Sequence, residues 1–154
     1  MNRPLIIGQA PARGNDGLPP FAGESGARLA RLAGVGDSGD ALPDHFDLVN
    51  LNEKYPGKSK FKGDKFDMIE GRRRAAGIKR NIQDDLRGRF VFLMGRKVEK
   101  CFGWGQHDFL RIYVWHQSDI IIFPHPSGVN MWWNEPDHVD AARAVLGLAL
   151  RASR

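Results

Sequence analysis

Four short apolar runs recur along the chain: Leu5-Ile6-Ile7, Phe46-Asp47-Leu48-Val49-Asn50-Leu51, Phe90-Val91-Phe92-Leu93-Met94 and Ile120-Ile121-Ile122-Phe123. Each reads as a strand, and each precedes a segment with helical spacing. Ser25 to Leu32 places Leu29 and Leu32 on one face, with Ser25 as the candidate cap. Phe66 to Leu86 carries Met68, Ile69, Ile78 and Ile82 at amphipathic spacing. A shorter helix follows Gly95 through Val98 and Phe102. Pro136 to Arg151 closes the chain with Val139, Ala142, Val145 and Leu146 as its apolar stripe. Strand and helix in strict alternation predict a three-layer α/β/α domain around a mainly parallel, four-stranded sheet. Leu110 to Val114 is a further extended piece. With 154 residues and no internal repeat, the whole chain, 1–154, is expected to be one domain.

In an open parallel sheet, ligands bind beyond the carboxyl ends of the strands. Two polar loops leave such ends here. Gly8-Gln9-Ala10-Pro11-Ala12 follows the first run and leads into Pro20-Phe21-Ala22-Gly23; His125-Pro126-Ser127-Gly128 follows the last. The two can face one pocket. Backbone N–H groups after Gly8 can hold a carbonyl or a phosphate. Phe21 can return to stack on a flat ring, or simply pack in the core.

The single cysteine, Cys101, excludes an internal disulfide and any all-Cys metal or cluster site within the chain, and reads best as a small buried hydrophobe. His45, His107, His116, His125 and His138 show no paired ligand spacing, so neither metal nor other cofactor is expected. No apolar run is long enough to cross a membrane. The first strand begins almost at the initiator Met, which leaves little room for a targeting segment. An intracellular, cytoplasmic protein is expected, nucleoid-associated if bacterial or phage-encoded, and its compactness suits a phage or mobile element.

The net charge of +5 favours a polyanionic partner. The charge is clustered, with Lys54, Lys58, Lys60, Lys62 and Lys65 in one group and Arg72, Arg73, Arg74, Lys79 and Arg80 in another. Charge runs alone are ordinary solvated surface. Beside Tyr55, Trp132 and Trp133 they are what phosphate contacts and aromatic faces need for DNA.

Together these motifs resemble the uracil-DNA glycosylase superfamily. The first loop is similar to its motif one, closest to the branches that read Gly-Glu-Ala-Pro-Gly or Gly-Leu-Ala-Pro-Ala. Phe92 to Val98 resembles the strand–Gly–helix of its third unit, and His125-Pro126-Ser127 resembles motif two. The resemblance implies a glycosylase that flips uracil or a 5-modified pyrimidine out of single- or double-stranded DNA and hydrolyses its N-glycosidic bond, as a monomer. It implies Asn50 reading the base edge and His125 contacting the pyrimidine O2. Gly8, Gln9, Ala10, Ala12, Phe21 and Ser127 would complete the base pocket.

Physical chemistry is compatible with these roles. A side-chain amide offers one donor and one acceptor, matching N3–H and O4 of uracil, although Asn at a strand end also serves turns and caps. A donor at O2 gains strength as the leaving base becomes anionic, although a lone His before Pro is often only a loop residue.

The departures matter equally. Ala10 stands where the most familiar branch has a water-orienting Asp, and Ala12 stands where that branch has a Tyr closing off C5. The four cysteines of the iron–sulfur branch are missing. A substitute carboxylate would be Asp16 first, unless it is only a turn residue beside Gly17, and Glu24 second. Lys58, Lys60, Arg72 and Arg73 are the expected phosphate contacts. In Val129 to Asn134, Met131 or Trp132 is the expected wedge into the duplex, unless both Trp side chains cover the closing helix. Two other readings stay open. One is a processing or transfer enzyme for a hypermodified pyrimidine, suggested by Ala12. The other is a catalytically weak binder of uracil-DNA or of a protein, suggested by Ala10.

Overall fold

A computed structural model describes residues 2–61, 63–85, 88–127 and 130–153, with the side chains of 82–85 excepted. Of the residues singled out above, Lys62, Leu86, Gly128, Val129 and the Ile82 side chain lie outside this description. Five strands form one sheet: β1 Leu5–Gly8, β2 Asp47–Asn50, β3 Phe90–Met94, β4 Ile112–Trp115 and β5 Ser118–Phe123. Their order is β2-β1-β3-β5-β4. The first four in that order run parallel, and only β4 is antiparallel.

The sheet thus has one strand more than the sequence predicts. The extended piece anticipated over 110–114 is the edge strand β4, only half buried. His116 and Gln117 join it to β5, both at positive φ (46° and 66°). That is the backbone of a tight type I′ hairpin, made without the Asn-Gly signal that would announce it.

Both faces of the central strands are covered, which is why these strands are apolar throughout. Ile6, Phe92, Ile121 and Phe123 point to one side and pack with Leu29 of α1 (Glu24–Ala33) and Leu146 of α4 (Pro136–Ala152). Leu5, Ile7, Val91, Leu93 and Ile122 point to the other. They pack with Ala75 of α2 (Met68–Asp85) and with Val98 and Phe102 of α3 (Arg96–Phe102). The three-layer expectation therefore holds.

Helix starts differ in detail. Gly23, not Ser25, occupies the α1 cap, without a side-chain hydrogen bond. Asp67 caps α2, its Oδ1 accepting from the N–H groups of Ile69 and Glu70 at 3.0 and 3.1 Å. Among the described residues no helix is long and apolar enough to cross a membrane.

Candidate active site

From β1 the chain crosses to one side to form β2 and to the other to reach β3, so the sheet reverses its winding between β1 and β3. The carboxyl ends of β2, β1, β3 and β5 open onto a cavity of about 670 Å³ at that point. Backbone bonds tie the first loop to the continuation of β2: Leu51 N–H donates to Gly8 O (3.0 Å) and Asn52 N–H to Gln9 O (2.7 Å).

Gly8 is buried beneath the cavity. A Cβ there would lie 2.6 Å from both Asn50 Oδ1 and Phe21 Cζ. Only glycine lets the amide and the ring edge converge over this strand end. Phe21 is itself held in an uncommon conformation, φ 63°. Its carbonyl is clamped between two helix-side glycines: a Cβ at Gly26 would lie 1.7 Å from that oxygen and one at Gly39 2.0 Å. Such strain persists only where the surroundings enforce it. Asn50, paired in register with Gly8, lines the cavity, and its amide makes no hydrogen bond to another described residue.

His125 enters from the end of β5. Its Nδ1 accepts the backbone N–H of Ser127 (3.2 Å). A neutral ring in this bond carries its proton on Nε2. Burial pushes its pKa below the ordinary imidazole value, and the nearby Lys97 cation pushes it the same way. The His125 carbonyl accepts from Trp133 Nε1 and Asn130 Nδ2, each at 2.9 Å. Trp133 is buried against Phe123, and Arg28 lies over its ring at 5.6 Å. The imidazole thus sits on a loop anchored to the core.

Most expected site residues meet here: Gln9, Ala10, Ala12, Phe21, Asn50, His125 and Ser127 all line the cavity, over buried Gly8. Asp16 does not. It is exposed, and its Oδ1 accepts the Tyr55 N–H at 2.7 Å, clipping the first loop to the β2–α2 connection. The carboxylates in the lining are Glu24, in the first turn of α1, and Asp64. Lys65 and Lys97 also line it. Asp64 and Lys97 were missed from sequence, and Lys65 was singled out only as a member of a basic cluster and not as a cavity residue. Lys97 had a signal, because it lies two residues beyond Gly95 at the end of β3. Nothing placed Asp64 or Lys65 at the cavity, because folding of the β2–α2 connection brings them back.

The expected DNA contacts are more dispersed. Lys58 and Lys60 are exposed on that same connection; Arg72 and Arg73 are exposed on α2, away from the lining. Met131 is 78% exposed beside Asn130, which lines the cavity. The two tryptophans are not an exposed pair. Trp133 is buried, and Trp132 is half-buried, stacked on His138 with centroids 4.1 Å apart. Of the two expected wedges, only Met131 stands clear of the surface.

The family model of the uracil DNA glycosylase superfamily matches residues 2–147. No curated protein matches the chain.

Proposed function

The chain belongs to the uracil DNA glycosylase superfamily, and from that premise we propose that it excises uracil, or a 5-substituted uracil, from DNA. The supporting observation is the convergence in one cavity of an amide that bonds to no other described residue, an aromatic edge and an imidazole whose Nδ1 accepts a backbone N–H, which leaves Nε2 to face a ligand as donor. The extruded base lies against Phe21. The Asn50 carbonyl oxygen accepts a hydrogen bond from N3–H, and its amide N–H donates one to O4. His125 donates from Nε2 to O2. As the N-glycosidic bond breaks, its electron pair passes to the base, and the anionic charge gathers partly on O2. The donor is then worth more than in the ground state. The Lys97 cation favours the same anion.

Water completes the reaction by bonding to C1′ and losing its proton. Ala10 brings no carboxylate to the end of β1. Glu24, the second of the two carboxylates anticipated from sequence, is in the lining and takes the role of orienting the water and accepting that proton. Asp16 acts instead as a clip between loops.

Oligonucleotides carrying uracil, 5-hydroxymethyluracil or thymine, treated with the protein and then with alkali, test this reading. Strand breakage at uracil supports it, and intact strands with every base contradict it. Ala10 favours a second reading, recognition of uracil-DNA without turnover, in which the same oligonucleotides are bound and left intact.

A further inference from the structure

The proposed chemistry leaves unused a small hairpin beside the cavity. Leaving aside Lys62, which lies outside the described residues, residues 57–65 double back through an antiparallel bridge, Lys58 to Asp64. Ser59 N–H donates to Gly63 O (2.9 Å) and Lys65 N–H to Gly57 O (2.7 Å). The hairpin is fixed at its root. Asn52, 1% exposed, pairs with the backbone of Asp67 in both directions at 2.9 and 2.7 Å. Tyr55 bonds Asp16 through its N–H and Asp64 through its O–H, at 2.7 and 2.8 Å. Its inner side, Gly63, Asp64 and Lys65, lines the cavity.

At its tip Phe61 is 98% exposed, with Lys58, Lys60 and Lys65 exposed around it. A ring held clear of the surface on an anchored stem presents both its faces for stacking on a flat partner. The surrounding cations select an anionic partner. An aromatic face beside lysines is the combination that holds single-stranded nucleic acid, with the ring stacking on a base and the ammonium groups meeting phosphates.

We propose that hairpin 57–65 is a second DNA-contact element, in which Phe61 stacks on a base neighbouring the extruded nucleotide and Lys58, Lys60 and Lys65 meet the adjoining phosphates. This rests on the DNA-binding half of the preceding reading and not on its chemistry. Phe61 lies two residues from Gly63 and Met131 one residue from Asn130, both of which line the cavity.

The test is binding of a fluorescent uracil-containing single strand to the full chain, as wild type, Phe61→Ala and Phe61→Trp, with the oligomeric state measured in parallel. Loss of one base–aromatic stack weakens Phe61→Ala by about tenfold or more, and Phe61→Trp retains the affinity. A Lys58→Ala, Lys60→Ala variant lowers the dependence of log affinity on log salt by about one to two. Affinity of Phe61→Ala within about twofold of wild type overturns the proposal. So does a change of self-association without a change in DNA affinity, which would make the hairpin an interface between copies. Weakened binding by Phe61→Ala in a protein that excises no base upholds the hairpin and overturns the glycosylase reading. Excision with unchanged Phe61→Ala binding does the reverse.

Discussion

In the proposed reaction His125 is a neutral donor, and the fold disfavours its charged form. Burial and the Lys97 cation both lower its pKa from the ordinary value of 6.5. A base with a lowered pKa in the folded state contributes stability that is complete above its unfolded pKa and lost as pH falls through its folded one. Urea unfolding between about pH 5 and about pH 7 is expected to show stability falling toward acid, with a smaller fall in His125→Ala. Equal slopes in the two proteins would mean that the ring is not held neutral. In the proposed reading Asn50, in the cavity lining, sets the choice of base. In Asn50→Asp two acceptors replace a donor–acceptor pair, so uracil binding is expected to drop by about tenfold or more, while a cytosine edge gains. A base-bound structure with Asn50 away from the ring would contradict this role. Ala12 sets breadth. The small side chain is exposed in the cavity lining, so 5-hydroxymethyluracil is expected to compete with uracil within about tenfold. Ala12→Tyr restores exclusion of the larger base and spares uracil. Rejection of every 5-substituted base by the wild type would show that another side chain closes that part of the cavity.

The Phe21 turn is where element packing meets the site. Its carbonyl rests against Gly26 of α1 and against Gly39, which opens the 3-10 turn Gly39–Asp44. Gly26→Ala puts a methyl group into that oxygen. A loss of about 1–3 kcal/mol in urea unfolding is expected, the usual cost of overpacking, together with weaker binding of uracil-DNA as the ring shifts. Unchanged stability would mean that the turn relaxes freely and Phe21 is not clamped. This clamp could not be read in the sequence, since it joins Gly26 and Gly39 through a residue on a third segment. The parallel strands could be read, because burial on both faces leaves them uninterrupted apolar runs. Edge strand β4 is half exposed and turns on His116-Gln117, so its pattern marked an extended piece over 110–114 without marking it as a fifth strand of the sheet. Gln9, Asn50 and His125 were legible for one reason: each lies at or just beyond the end of such a run. Asp64 and Lys65 lie 14 and 15 residues beyond Asn50 and reach the cavity only through the Asn52–Asp67 pairing. The sequence ranked Asp16 ahead of Glu24 as the substitute carboxylate. The Tyr55 N–H, 39 residues from Asp16, separates them.

At the scale of the molecule, only part of the positive charge lies with the cavity, and Arg72 and Arg73 on α2 lie outside its lining. The cavity opens at the reversal point of the sheet, with Lys65 and Lys97 in its wall and Met131 and Phe61 standing clear nearby. DNA affinity is expected to fall steeply as salt rises, because each phosphate contact releases counterions. A flat response between low and physiological salt would assign the lysines to solvation alone. The most direct measurement is single-turnover excision from a uracil-containing oligonucleotide, read as alkali-labile breaks, by the wild type and by folded His125→Ala. Wild-type cleavage at uracil, slowed by about 10²-fold in His125→Ala as for the loss of one oxyanion-type donor, is the expected result. Cleavage at the same rate in both proteins, or none by the wild type, would contradict excision driven by a neutral His125.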